Sequence, residues 1–96
     1  MNIEDLRKYY RDDIIAIADK YGVEKVRVFG SFVRGEQNDD SDIDFLVRFG
    51  PKMTLLRWAA FERELRETIG RDVDVVSERG INPLLKDTIL SEAREL

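Results

Sequence analysis

The stretch SDIDFLV, residues 41–47, constrains the fold of this chain more tightly than any other. Ile43, Phe45 and Val47 alternate with Asp42 and Asp44, the two-residue period of a half-buried strand. Such a strand puts both carboxylates on one side, where each disfavours ionisation of the other. A divalent cation between them reverses that cost. Hard oxygen ligands suit Mg²⁺, which keeps waters and substrate phosphates at its remaining positions. A solvated edge of alternating charge is the plain alternative, and the rest of the chain decides between the two.

A second acidic alternation, DVDVV over residues 72–76, predicts another strand. If the two strands pair, Asp74 can join Asp42 and Asp44 in a three-carboxylate cluster. Such a cluster could hold two metal ions about 3.5–4 Å apart, the separation used for in-line phosphoryl displacement. Asp72 competes for the third place but follows Arg71 at the start of the strand, where a solvated residue is expected.

Upstream, Gly30-Ser31 closes an apolar run, VRVFGS. A residue without a side chain at a strand end lets a ligand approach the backbone. If Ser31 to Arg34 forms one helical turn, its free N–H groups and the Ser31 hydroxyl make an anion cradle suited to phosphate. A simple strand-to-helix turn would use the same residues. Arg34 can offer the cradle a planar donor fork, or merely pair with Glu36 or Asp39 on the surface. Gly30 and Gly35 have the glycine spacing of a P-loop, but Glu36 stands where its lysine belongs, which excludes a P-loop NTPase.

Composition narrows the chemistry further. The chain has neither Cys nor His, so thiolate catalysis, Cys-based zinc sites and imidazole bases are excluded and carboxylates must carry any acid–base or metal work. A net charge of −4 argues against broad nucleic-acid binding. No signal peptide or membrane-length apolar run is read, so a cytoplasmic protein is expected. At 96 residues the chain is expected to form one domain over residues 1–96. A domain this small buries only about two-thirds of its unfolded surface, so any site should be a surface cleft.

The remaining elements follow from periodicity and punctuation. Ile3, Leu6, Tyr10, Ile14, Ile17 and Ala18 predict one amphipathic helix over residues 3–20, ended by Gly22. Val23 to Phe29 reads as a strand. Thr54 should cap a helix running to about Ile69, with Leu55, Trp58, Phe61, Leu65 and Ile69 as its apolar stripe. Asn82 and Pro83 should open a last helix whose inner face is Leu85, Ile89 and Ala93. The order α-β-(α)-β-α-β-α gives an α/β (α+β) class: a small mixed sheet with helices mainly on one face.

Taken together, GSFVRGE, a polar loop, SDIDFLV and a downstream VDVV resemble the signature of nucleotidyltransferases related to DNA polymerase beta, and most closely their minimal nucleotidyltransferase branch. The match runs from Val26 to Val76, with flanking helices in the expected order. The resemblance implies a nucleotidyltransferase fold in which Gly30 and Ser31 contact the nucleotide's phosphates and Arg34 lies near them. It also implies that Asp42 and Asp44 bind two Mg²⁺ ions and Asp74 the catalytic one. The implied reaction moves a nucleoside monophosphate, most often AMP from ATP, onto a hydroxyl. Many relatives sit beside a HEPN-domain ribonuclease toxin and act as its antitoxin, in studied cases by adenylylating a toxin tyrosine. Larger relatives add a helical domain, so here a partner or homodimerisation is expected to complete the cleft. The rival reading is an antitoxin that works by contact alone, through exposed apolar residues such as Tyr9, Leu84 and Leu90. A phosphatase of the haloacid-dehalogenase type also uses D-x-D, but needs a small hydroxyl residue where Leu46 stands.

Overall fold

A computed structural model describes all residues from Met1 to Leu96. The expected N-terminal helix is two helices, α1 (Ile3–Tyr9) and α2 (Arg11–Tyr21), broken at Tyr10, whose backbone leaves the helical region at φ −126° and ψ −7°. An Asn2–Asp5 capping box starts the first, and Asp12 and Asp13 place negative charge in the first turn of the second. The break re-aims the chain so that Ile3 and Leu6, and beyond it Ile14 and Ala18, are buried in one core.

Strand β1 (Val23–Phe29) pairs antiparallel with β2 (Ile43–Phe49). A register slip between Val23 and Lys25 lets Val23 reach the same core as Val28. Between the strands, Ser31–Arg34 forms the expected single helical turn, α3. Helix α4 (Leu55–Ile69) then carries the chain back so that β3 (Val73–Ser77) lies parallel to β2. The Thr54 hydroxyl accepts the Arg57 N–H at 3.2 Å, the predicted cap. Phe61, Leu65 and Ile69 of α4 are buried, but Leu55, expected in the same stripe, is 82% exposed in the helix's first turn.

Two further departures lie at the C-terminus. Asn82 closes a turn, with its side chain accepting from Leu84 N–H and its carbonyl from Leu85 N–H. Helix α5 therefore starts only at Lys86 and runs to Glu92. It buries no residue: Leu85 before it is exposed, and Ile89 and Ala93 are half-buried instead of forming a sealed inner face. A short strand β4 (Arg94–Glu95), which the periodicity does not reveal, pairs antiparallel with β1.

The result is a four-stranded mixed sheet in the order β3-β2-β1-β4, the predicted α/β class. Contacts of α2 with β1 and α4, and of α4 with β3, stack the main helices as one layer on the sheet. Ile43, Phe45 and Val47 of β2 are fully buried against that layer. Leu46 is fully buried as well, on the opposite face, so β2 is more enclosed than the half-buried strand expected. Phe32, Phe45 and Phe61 are the largest buried side chains of this core, and Phe61→Ala should cost about 3–5 kcal/mol of stability. No helix is long and apolar enough to cross a membrane.

Candidate active site

The sheet register assembles the site. Asp44 faces Phe29 across the β1–β2 pair and Asp74 across the β2–β3 pair, so the acids from separate sequence motifs stand on neighbouring strands. Asp42 precedes β2 by one residue and is exposed, as is Asp74, whereas Asp44 is half-buried. Gly30 explains the burial. Its backbone sits at φ 78° and ψ −150°, and a Cβ there would come within 2.1 Å of Asp44 Oδ2. Only glycine tolerates that geometry, so the Asp44 carboxylate packs directly on bare backbone.

The electrostatics follow. Burial, then the charges of Asp74 and Asp42, push the Asp44 carboxyl up to about 6, with Arg34 opposing and Glu92 adding to the rise. Hard oxygen donors with unrelieved mutual repulsion fit a divalent cation. The side chains do not converge as a ready-made three-acid metal group.

Arg34 does not stand free beside this cluster. Its Nε donates to Glu36 Oε2 at 3.0 Å, as one expectation had it, and its Nη1 donates to Glu92 Oε1 at 2.7 Å. The Glu92 and Glu36 hydrogen bonds raise the Arg34 pKa further above its ordinary value. Glu92 also accepts the Gly30 N–H at 3.0 Å through Oε2. Nothing in the sequence marks this glutamate, which lies 58 positions from Arg34 at the end of α5. Ser31 begins α3 half-buried, and the Gly30 carbonyl accepts from Val33 N–H and Arg34 N–H.

Arg71 is a second residue that the sequence undersold. Its Nη2 donates to the carbonyls of Asn38 at 2.7 Å and Ser41 at 3.0 Å, and its guanidinium lies 5.2 Å from the centre of the Phe32 ring. It thereby fixes the polar loop that delivers Asp42. Asp72, the rejected competitor, is 78% exposed and pairs with Arg66 at 3.5 Å. None of the molecule's five concavities is lined by Asp42, Asp44 or Asp74, so the acids lie on an open face.

Residues 12–96 match the family described as polymerase beta, nucleotidyltransferase. A candidate protein adenylyltransferase of Methanocaldococcus jannaschii is 45% identical over 97% of this chain and 96% of its own length. The protein adenylyltransferase MntA of Thermococcus cleftensis is 37% identical over 79% of this chain and 77% of its own. A solved candidate minimal nucleotidyltransferase superposes with a TM-score of 0.87 at 43% identity, covering 100% of this chain and 97% of that one. The fold is also shared, at a TM-score of 0.70 and 18% identity, with a structure of tri-AMPylated Shewanella oneidensis HEPN toxin in complex with MNT antitoxin, covering 93% of this chain and 70% of that one.

Proposed function

This chain belongs to the polymerase beta nucleotidyltransferase family and is a nucleotidyltransferase, and from that premise we propose that it transfers AMP from ATP to a hydroxyl of a partner protein. The observation that carries the site assignment is the register pairing of Asp44 with Asp74 beside the bare backbone of Gly30. Asp42, Asp44 and Asp74 would hold Mg²⁺, two ions in the full site. When bound, the metal neutralises triphosphate charge and makes the attacking hydroxyl more acidic.

The chain's own groups do the positioning. The Gly30 N–H and Ser31 hydroxyl receive phosphate oxygens, and the absent Cβ lets them approach. Arg34 supplies a charged donor fork to the same oxygens. An acceptor oxygen then attacks the α-phosphorus. The α–β bridging bond breaks, pyrophosphate leaves, and the acceptor's proton is released.

The acceptor we favour is a tyrosine of a HEPN-type toxin, with this chain as its antitoxin. An open, shallow site suits a hydroxyl delivered on a macromolecule. The named relatives support the class of reaction, and the shared fold of the antitoxin–toxin complex supports the class of partner. Homodimerisation is the alternative way to complete the cleft.

The test is incubation with Mg²⁺, α-labelled ATP and the protein encoded beside this one. Label should move to the neighbour, and transfer should be lost in Asp42→Ala and Asp44→Ala. Full neutralisation by those variants, with no label moved by the unmutated protein, would instead establish an antitoxin acting by contact. Tyr9 and Leu84, which are 63% and 90% exposed, are the expected interface residues in that case, whereas Leu90 is half-buried and a poorer candidate than its sequence position suggests.

A further inference from the structure

Glu92 fits none of the roles given so far. It ends α5, 62 positions from Gly30, yet its carboxylate is shared between two donors of the phosphate cradle. Oε2 takes the Gly30 N–H at 3.0 Å and Oε1 the Arg34 Nη1 at 2.7 Å. A backbone N–H beside a guanidinium is a donor pair for any two oxygens of a tetrahedral or planar anion, so carboxylate and phosphate compete for it. The Glu92 side chain is only 15% exposed, so it is seated in the cradle and not merely passing over it. Its surroundings make it an unexpected occupant, because Asp42, Asp44 and Asp74 already crowd the same face with negative charge.

Resting on the reading of Gly30 and Arg34 as nucleotide ligands, we propose that Glu92 is an internal phosphate surrogate, which fills the cradle in the nucleotide-free protein and must withdraw before a triphosphate binds. The segment bearing it is built to yield. Helix α5 has seven residues and buries none of them, the mark of an element with low local stability. The ties that hold the C-terminus lie beyond Glu92. They are the β4 pairing with β1, Arg7 Nη2 on the Glu95 carbonyl at 2.8 Å and Arg11 Nε on the Leu96 carbonyl at 3.0 Å. The carboxylate can therefore swing out while the chain end stays docked. Apparent nucleotide affinity is then the intrinsic affinity scaled by the fraction of molecules with the cradle open.

Binding of a non-hydrolysable ATP analogue with Mg²⁺, measured by titration calorimetry, separates this from simple charge repulsion. Glu92→Gln removes the charge; Glu92→Asp keeps it but is one methylene too short to bridge Gly30 and Arg34. Both should bind the analogue about 3–10-fold more tightly than the unmutated protein, since both raise the open fraction. Arg34→Ala should weaken binding in every background. Tightening by Glu92→Gln alone would reduce Glu92 to a field effect and overturn the proposal. Weaker binding by both would show that Glu92 holds Arg34 in place for nucleotide, which also overturns it. If Arg34→Ala leaves binding unchanged, the cradle reading itself fails, a pattern distinct from the other two. In the unmutated protein the Glu92 carboxyl carbon resonance should move on addition of the analogue. A resonance that stays put while nucleotide binds contradicts the proposal without any substitution.

Discussion

Two carboxylates on the same face of the same sheet behave in opposite ways. Glu78, just past β3, receives hydrogen bonds from Arg27 of β1 and Arg48 of β2. Burial pushes its carboxyl up, but those hydrogen bonds and the two positive charges outweigh burial and lower it. Asp44, four residues before Arg48, is pushed up to about 6 by burial first and then by its acidic neighbours Asp74 and Asp42. Burial raises both groups, the more so Asp44; the opposite outcome at Glu78 comes from its two arginine partners. Glu78 is compensated from within the chain, as a structural ion pair must be. Asp44 has only the opposing charge of Arg34 within the chain, and that imbalance is what supports the proposed site at this end of the sheet.

The comparison breaks first, and furthest, at the acids. Asp42→Asn or Asp74→Asn should lower AMP transfer by about 100-fold or more, the order lost when a charge-stabilising group is removed from a transition state, while the melting temperature changes little. Glu78→Ala should do the reverse. It leaves Arg27, whose side chain is 15% exposed, without its charged partner, and should cost about 1–3 kcal/mol by thermal or urea unfolding. Gly30→Ala should damage both properties, since the new methyl meets Asp44 Oδ2 at a positive φ. A loss of about 1–3 kcal/mol is expected, together with reduced nucleotide binding.

The pH dependence sharpens the contrast. Asp44 titrates near 6 in the fold against 3.8 ordinarily, so its contribution to stability is full below about pH 4 and is lost as pH rises through about 6. Glu78, lowered from 4.5, contributes stability above its ordinary value and loses it on acidification. Mg²⁺ should raise the melting temperature at pH 7 and do so less below pH 6, where Asp44 carries a proton. The smallest effect belongs to Leu55→Ser, on a side chain 82% exposed, which should stay within about 0.5 kcal/mol.

Most of this architecture was legible because local pattern and global packing agree. The two acidic alternations, the Gly-Ser turn and the Thr54 cap each obey a period or a capping rule, and each is found where expected. The break at Tyr10 is invisible because the apolar positions on both sides keep helical spacing across it. Leu55 carries the right period but lies in the first turn, beyond the buried stretch of its helix. Strand β4 is two residues long, too short to show any period. Glu92 and Arg71 reach the site through tertiary contacts spanning 62 and 33 positions, which no local rule encodes.

The most direct test pairs Asp44→Asn with Glu78→Gln and follows AMP transfer and thermal unfolding for both at pH 7. Asp44→Asn should abolish transfer yet stabilise the metal-free protein by about 1–2 kcal/mol, a magnitude already reduced for solvent screening of a half-buried group. Glu78→Gln should keep transfer and lose stability. An Asp44→Asn protein that still transfers AMP, or that melts lower than the unmutated chain, would contradict the assignment of Asp44 as the acid held in reserve for a cation.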